Sequence, residues 1–356
     1  MNKKVHNFSA GPSILPDKVF EQASSAIKDF NNSGLSILEI SHRSKDFIEV
    51  LEEARFTALD IAELNKDEYT CLYLQGGASL QFLMTAYNFL NNNAAYINTG
   101  SWSTKAIKEA KMFGDVTEIA SSADKNFNYI PKDLSLNESY DYLHLTSNNT
   151  IFGTQFHSFP DVNYPLFADM SSDIFSRKIN FSKFDLIYAG AQKNLGPAGV
   201  TMVLIRKSLL KNISRQVPSM LSYKIHADKD SSFNTPPVFP IYCVLLNLRM
   251  IKNDGLDNIA SNNDIKSKLI YEEIDNNKCF SGFSHVDDRS QMNATFNLND
   301  GFNGELFNEI CKENNISGIN GHRSVGGYRA SIYNALPIDS VKLLIKCMKE
   351  FESNYN

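Results

Sequence analysis

The chain has 356 residues, with 35 basic and 40 acidic side chains that give a net charge of −5. Hydrophobic residues make up 42% of it, a share typical of folded proteins, and the length predicts two lobes or one large domain with an appendage. The negative charge argues against a dedicated nucleic-acid binder, and no apolar run approaches the roughly 18–20 residues that span a membrane.

Short apolar runs alternate with helical patterns through the first two thirds of the chain. The spacing of the apolar residues predicts helices over residues 45–64, 80–90 and 104–113. Apolar runs predict strands at residues 71–74, 94–97, 142–145, 166–168, 186–189 and 200–205. Strands of this length, separated by helices or longer loops, predict an α/β fold whose sheet is covered on both faces.

The order of predicted helices and strands changes after about Gly255. Helical patterns cover residues 256–275 and 305–313, strand patterns cover 294–298 and 328–332, and an amphipathic helix follows from Ile338. Strands with helices on one side indicate a smaller α+β lobe. We therefore predict a large domain of residues 16–255 and a small domain of residues 1–15 and 256–356.

The cysteines and the N-terminus indicate the cellular compartment. The five cysteines are odd in number and widely scattered, and no CxxC motif occurs, so neither a zinc knuckle nor a disulfide framework is expected. The first residues are polar and contain no apolar signal segment. We expect a reduced, cytoplasmic globular protein without a metal site.

The most informative segment is residues 185–199, in which an apolar strand ends in small residues, presents Lys193 and turns through a Gly/Pro loop. Open α/β sheets place their ligands at the carboxyl ends of strands. A confined lysine there suits a Schiff base, because its amine must lose a proton and hold a carbonyl. The alternative is a solvated lysine on a surface loop, and spacing alone does not separate the two.

A second strand end carries a carboxylate. Asp169 terminates the apolar run 166–168, 24 residues before Lys193. A carboxylate there could keep a pyridine nitrogen protonated, which would make pyridoxal phosphate a better electron sink. The alternative is a helix or turn cap, a role that Ser171 could also fill. The pairing of Asp169 with Lys193 at successive strand ends favours the first interpretation.

Three further segments could bind anions or a flat ring. The Gly76-Gly77 turn opens a helix whose exposed amides could bind phosphate, although a plain turn explains two glycines equally well. Trp102, the single tryptophan, could stack on a cofactor ring or simply pack. Arginines and histidines in residues 41–43 and 321–329 indicate an anionic substrate, with surface salt bridges as the alternative.

Taken together, these segments resemble the phosphoserine aminotransferase family, within the class V aminotransferases that depend on pyridoxal 5'-phosphate. The matching pieces are Asn7–Pro12, Glu39–Arg43, Gln75–Gly77, Ala168–Ser172, Tyr188–Gly199, Phe233–Pro237 and Gly326–Ala335. They span the chain in order. The resemblance implies an aspartate-aminotransferase-like fold, fold type I of these enzymes, in which a large domain with a mostly parallel sheet joins a smaller α+β domain.

The resemblance also implies a role for each matching residue. Lys193 would hold the cofactor covalently and shuttle protons, with Asp169 on its pyridine nitrogen. The other cofactor-binding residues would be Ala78, Ser79, Trp102, Thr150 and Gln192, with Asn234 and Thr235 reaching the cofactor phosphate from the partner subunit of a homodimer. Arg329 would hold the substrate's α-carboxylate, and the distal anion would be held by Arg43, His322 and Arg323.

The implied reaction moves an amino group reversibly between L-glutamate and 3-phosphohydroxypyruvate, which gives O-phospho-L-serine and 2-oxoglutarate. The related phosphohydroxythreonine step of vitamin B6 synthesis stays open. Some relatives carry a basic residue where this chain has Ser79, which places more weight on Arg43, His322 and Arg323. The alternatives are another class V enzyme, such as a serine–glyoxylate-type aminotransferase or a cysteine desulfurase, and a non-catalytic anion-binding protein of the same fold.

Overall fold

The structure, a computed structural model, describes residues 4–136 and 139–355. Its helices are α1 (Asp17–Lys28), α2 (Lys45–Ile61), α3 (Gly77–Phe89), α4 (Ser101–Ala110), α5 (Lys207–Lys211), α6 (Tyr223–Asp228), α7 (Val238–Asp254), α8 (Leu256–Asn276), α9 (Gly304–Glu313) and α10 (Ile338–Ser353). None of the helices in this part of the chain is long and apolar enough to cross a membrane.

The strands form one large sheet and three small ones. They are β1 (His6–Asn7), β2 (Tyr69–Leu74), β3 (Asn93–Asn98), β4 (Asp115–Ser121), β5 (Leu143–Thr146), β6 (Asn148–Asn149), β7 (Thr154–Gln155), β8 (Leu166–Asp169), β9 (Leu186–Gly190), β10 (Thr201–Arg206), β11 (Phe280–Gly282), β12 (Asn293–Leu298), β13 (Ile316–Ser317) and β14 (Tyr328–Ser331). The large sheet has the order β2-β10-β9-β8-β5-β3-β4.

The large sheet is mostly parallel, and β10 is the one strand in it that runs antiparallel to its neighbours. Every residue of β2, β5, β8 and β9 is buried. Such continuous burial is typical of strands that have helices on both faces, which is why they appear in the sequence as unbroken apolar runs. The predicted α/β fold is confirmed.

Buried apolar side chains form several separate clusters. Two of them cover opposite faces of the large sheet, and a third joins Phe8 to side chains from α8, α9, α10 and the sheet β11-β12-β14. The short strand β1 pairs with β13, so the chain's first residues lie beside its last third. The boundaries proposed for the two domains stay a prediction.

Most predicted elements agree with the structure to within a few residues, and one predicted helix is displaced as a whole by three residues toward the N-terminus. The apolar pattern predicted a helix over residues 104–113, whereas α4 begins at Ser101 and ends at Ala110. The physical reason lies at its start: Gly100 adopts a φ of 157°, and the Ser103 hydroxyl accepts hydrogen bonds from the backbone N–H groups of Thr99 and Gly100. These hydrogen bonds start the helix at Ser101, before the apolar residues Ala106 and Ile107 on which the prediction depended.

Candidate active site

Three neighbouring parallel strands place the predicted site residues at one edge of the large sheet. Asp169 is the last residue of β8, Lys193 lies in the turn that follows β9, and Thr150 lies four residues beyond the end of β5, directly after β6. Because these strands are adjacent and parallel, their carboxyl ends meet. The Lys193 Nζ atom donates a hydrogen bond to the Thr150 hydroxyl at 2.6 Å.

The backbone around Lys193 is held by the N-terminal segment. The Ser13 hydroxyl donates to the Lys193 carbonyl, and the Ser13 N–H donates to the Gln192 carbonyl at 2.9 Å. Gly11 lies so close that a Cβ atom there would be 3.3 Å from the Lys193 Cγ atom. This close contact and a φ of 147° favour glycine at position 11.

Burial tunes the Lys193 amine. Desolvation lowers the pKa of Lys193 from 10.5 to about 8, with Asp169 raising the pKa and the Arg329 charge lowering it further. A lysine with this pKa is neutral in a substantial fraction of molecules near neutral pH, whereas an ordinary lysine is almost fully protonated. The site therefore supplies an amine that can act as a nucleophile or as a base.

Asp169 is a buried carboxylate in a polar turn. It is 4% exposed, and its Oδ1 atom accepts a hydrogen bond from the Ser171 N–H at 2.9 Å, so it also caps the turn that follows it. Burial raises the pKa of Asp169, and the nearby Lys193 charge opposes that rise. Both interpretations of Asp169 are thus compatible with its surroundings, because it caps the turn and also presents a carboxylate near Lys193.

Asp173 is a second buried carboxylate that the sequence analysis missed. It lies four residues beyond Asp169, in the turn that follows β8, and accepts hydrogen bonds from the Ser147 hydroxyl and, at 3.1 Å, from Gln155 Nε2. Arg177 lies 3.7 Å from it, and burial raises the pKa of Asp173. The sequence does show a second aspartate shortly after Asp169, with two serines between them. Its hydrogen-bond partners Ser147 and Gln155 lie in other segments, however, so the sequence did not indicate its surroundings.

Trp102 lies beside the lysine. The Lys193 Nζ atom is 5.8 Å from the centre of the Trp102 ring, and the Lys105 Nζ atom, one helical turn further along α4, is 4.5 Å from that centre. The Trp102 indole N–H is buried and has no partner among the described residues. Lys105 is a cation that the sequence analysis did not single out, because nothing in the sequence indicates that it contacts Trp102.

The glycine turn has the geometry that opens a helix N-terminus. Gly76 and Gly77 have φ values of 95° and 67°, and α3 begins at Gly77, so Ala78 and Ser79 lie in its first turn. The free N–H groups of a first turn point outward and bind anions. Within the same chain, the Asn234 side chain donates to the Gln75 Oε1 atom at 2.9 Å, beside this turn.

The residues after β13 bring further cations near the lysine. Arg329, in β14, donates from Nη1 to the Thr150 carbonyl at 3.3 Å, and its buried Nε has no partner among the described residues. His322 is bonded to the Ser324 hydroxyl at 2.6 Å. Burial lowers the pKa of His322, and the charges of Arg329, Arg323 and Lys105 lower it further. Arg329, Arg323 and Lys105 thus make this neighbourhood positively charged, while the lowered pKa of His322 favours its neutral form.

Other predicted site residues lie at the surface of the single chain. Arg43, Arg323 and Thr235 are exposed. No hydrogen bond or ion pair joins Arg43 to Lys193, Arg329 or His322 within residues 4–136 and 139–355 of one chain. The structure therefore brings Arg329 and His322 to the Lys193 region, whereas the site role of Arg43 stays a prediction.

The residues present suit pyridoxal phosphate. The region holds an amine with a lowered pKa at Lys193, a carboxylate at Asp169, unpartnered N–H donors on Trp102 and Arg329, and an open helix N-terminus at Gly77. An aldehyde, a basic ring nitrogen, a flat ring and a phosphate would each find a chemically matching group. No described group of three or more His, Cys, Asp or Glu side chains could instead hold a metal ion.

Comparisons with known proteins agree with this geometry. Residues 5–344 match the family model "Aminotransferase class-V". The chain is 56% identical to a phosphoserine aminotransferase of Flavobacterium psychrophilum, and the aligned region covers 98% of this chain and 99% of the relative. It is 52% identical to a phosphoserine aminotransferase of Bacteroides fragilis over the same shares.

Solved structures give the same result. A phosphoserine aminotransferase from Bacillus circulans subsp. alkalophilus matches 99% of both chains with 43% identity and a TM-score of 0.95. The pyridoxal-phosphate-bound phosphoserine aminotransferase of Trichomonas vaginalis matches 97% of this chain and all of that chain, with 35% identity and a TM-score of 0.92. The chain therefore belongs to the class V aminotransferases, which have fold type I and use pyridoxal phosphate.

Proposed function

We propose that the protein transfers an amino group reversibly between L-glutamate and 3-phosphohydroxypyruvate, giving O-phospho-L-serine and 2-oxoglutarate. The observation that carries the proposal is the identity of 49–56% with phosphoserine aminotransferases over nearly the whole chain. The cations near Lys193 agree with it, because both amino-acid substrates carry a second anionic group.

Pyridoxal phosphate, when bound, supplies a carbonyl that holds the substrate's amine and a ring that withdraws electrons from the bond between Cα and its hydrogen. The chain's own residues provide the binding groups and the proton transfers. Ala78, Ser79 and the free N–H groups at the start of α3 would hold the phosphate, Trp102 would cover the ring, and Gln192 and Thr150 would border it.

In this proposal, Lys193 moves the proton. Its amine, with a pKa lowered to about 8, can accept a proton from the substrate's Cα near neutral pH and return it to a neighbouring carbon. The Thr150 hydroxyl, 2.6 Å from Nζ, orients the amine before it reacts. A base whose pKa lies near the working pH is the most effective one for both directions of a reversible transfer.

Asp169 would hold a proton on the ring nitrogen. Its burial raises its pKa, so the carboxylate gains from any cation or N–H group brought beside it. The hydrogen bond from the Ser171 N–H fixes one of its oxygens. A fixed, desolvated carboxylate is worth more in a reaction than a solvated one, since no water must reorganise around it.

The cations would select the substrates. Arg329 has a buried Nε without a partner among the described residues, so a bound α-carboxylate would complete its hydrogen bonds. Arg43, His322 and Arg323 would hold the distal phosphate or carboxylate. Arginine suits this role because its planar guanidinium matches both anions with paired hydrogen bonds.

We further propose a cytoplasmic homodimer. Leu35 and Leu38, close to Arg43 in the chain, are 49% and 61% exposed in the single chain. A partner subunit that covers them would carry Arg43, Asn234 and Thr235 toward a neighbouring site. The five cysteines are buried and unpaired, which suits a reducing compartment.

A coupled assay tests the proposed reaction. Holoenzyme is given glutamate and 3-phosphohydroxypyruvate, and the appearance of 2-oxoglutarate is followed. The same preparation is then given serine with glyoxylate, the substrate pair of the alternative class V activity. We expect rapid turnover with the first pair and little with the second. Faster turnover with serine and glyoxylate than with glutamate and 3-phosphohydroxypyruvate would contradict the proposal and indicate a glyoxylate-type aminotransferase.

A further inference from the structure

Lys266, in the middle of α8, is a lysine that the proposed reaction does not use. It is 2% exposed, and its Nζ atom donates hydrogen bonds to the carbonyls of Ile332 at 3.0 Å, Tyr333 at 2.7 Å and Leu336 at 3.2 Å. Within the described parts of the chain no carboxylate pairs with it. A buried amine without hydrogen-bond partners is costly, and the carbonyls of this one turn satisfy all three N–H donors of Lys266.

The segment that Lys266 binds, residues 332–336, is called here the 332–336 turn, and it contacts both loops that carry the predicted catalytic residues. The Asn334 N–H donates to the Asn194 Oδ1 atom at 3.1 Å, and Asn194 is the neighbour of Lys193. The Asn334 side chain donates to the Phe175 carbonyl at 2.9 Å, in the loop that begins at Asp169. One asparagine thus joins the two loops.

A second residue of α8 supports the same connection. Asn263 lies three residues before Lys266, so both side chains leave the same face of the helix. Its Nδ2 atom donates to the Asn334 Oδ1 atom at 2.8 Å and to the Ser176 carbonyl at 2.9 Å. Lys266 therefore holds the backbone of the turn, while Asn263 holds its central side chain.

The 332–336 turn also directly follows β14, which carries Arg329. The Tyr333 hydroxyl, in this turn, donates to the Ala10 carbonyl at 2.8 Å and accepts from Asn293 at 3.3 Å. Any shift of the turn would consequently reach the carboxylate-binding arginine through the strand and the Lys193 loop through Asn334. Packed, hydrogen-bonded segments of this kind transmit displacements because they have little free space.

We propose that Lys266 is a positioning residue, which fixes the 332–336 turn so that Asn334 can orient the loop bearing the catalytic lysine. This inference rests on the proposed amino transfer. It goes beyond that reaction, because Lys266 is not among the residues proposed to bind the substrate or the cofactor. A displacement of about 1 Å at a reacting group can lower a rate on the order of a hundredfold, so a remote tether can have a large effect.

The test replaces Lys266 with methionine, which keeps the length and apolar stem but removes all three donors. The matched control is Lys268→Met, on the same helix, where the exposed lysine pairs only with Asp264 at 2.7 Å among the described residues. Holoenzyme of each is compared with the parent by kcat and KM for glutamate and phosphoserine, counted per loaded site. The pH midpoint of the bound cofactor's visible absorbance and the melting temperature are also measured.

For Lys266→Met we expect a loss of about tenfold to a hundredfold in kcat/KM for both substrates and a shifted absorbance midpoint. Lys268→Met should match the parent in every readout. If Lys266→Met lowers only the melting temperature or the fraction of loaded protein, while kcat, KM and midpoint per loaded site stay at parent values, Lys266 is merely structural and the proposal is wrong.

A second variant, Asn263→Ala, keeps the proposal testable if Lys266→Met does not fold. It removes the side-chain link to Asn334 without changing any charge. We expect the same shift of the absorbance midpoint and a smaller loss of kcat/KM. An unshifted midpoint with parent kinetics would overturn the proposal. Failure of the proposed function is recognised separately, since the parent itself would then show no turnover in the coupled assay.

Discussion

The two halves of the predicted site differ in how they are built. Lys193, Asp169 and Thr150 lie at the ends of adjacent buried strands, and hydrogen bonds within one chain fix them. Arg43 and Arg323 lie in exposed loops. The reactive half is therefore set by the sheet, whereas the substrate-selecting half depends on loops and on the proposed second subunit. Substitutions in the two halves should have different signatures.

The largest effect is expected at Lys193. Lys193→Ala removes the amine that would bind the cofactor and move the proton, so turnover should be abolished for every substrate. The measurement is the coupled assay together with the visible absorbance of dialysed protein. Transamination by Lys193→Ala near the parent rate would exclude the lysine from the reaction.

Asp169→Asn should have the next largest effect. The amide has nearly the same shape, so the fold should survive, but it cannot stabilise a protonated ring nitrogen as a carboxylate does. We expect a loss of about two powers of ten in turnover, or roughly 3 kcal/mol in the barrier. Single-turnover rates with glutamate measure this directly, and an unchanged rate would leave Asp169 with only its capping role.

The substrate-selecting half is tested by comparing substrates. Arg43→Ala or Arg323→Ala should cost about 1.5–3 kcal/mol in kcat/KM for phosphoserine, because each removes a charge-assisted donor. The same changes should cost little for alanine, which has no distal anion. Arg329→Ala should impair all amino acids alike, since each has an α-carboxylate. Equal losses for alanine and phosphoserine in the first two variants would make those arginines structural.

The smallest effect concerns stability at the glycine turn. Gly76→Ala places a side chain at a φ of 95° and 2.5 Å from Leu80 Cδ2, so the free energy of unfolding should fall by about 1–3 kcal/mol. Gly34→Ala is the control, since Gly34 has a φ of 75° but open space around it. Denaturant unfolding of both variants separates strain from crowding. Equal losses would show that Leu80 moves aside freely.

The difference between structure set by the buried sheet and structure set by loops and partly exposed segments also determined what could be predicted from the sequence. The strand ends were predictable, because buried parallel strands appear as unbroken apolar runs and the polar residue that ends each one stands out. Helix α7 was not predicted, because it is buried along much of its length and contains Pro240, so it lacks a clear amphipathic pattern. Strand β4 was missed because several of its residues are partly exposed and polar.

Contacts between distant segments were also beyond the sequence. The bond between Lys193 and Thr150 joins residues 43 positions apart, and that between Lys266 and Tyr333 spans 67 positions. Neither spacing has a periodic signature. Family resemblance suggested Thr150, but nothing in the sequence indicated that Lys266 would be buried, since lysine is normally solvated.

The central claim is that Lys193 is the amine that holds the cofactor, and borohydride reduction of the holoenzyme tests it most directly. Reduction makes the carbon–nitrogen bond to the cofactor permanent, so digestion and mass spectrometry identify the modified lysine. We expect the added mass on the peptide that contains Lys193. Attachment to Lys105, the other lysine beside Trp102, or the absence of any modified lysine would contradict it.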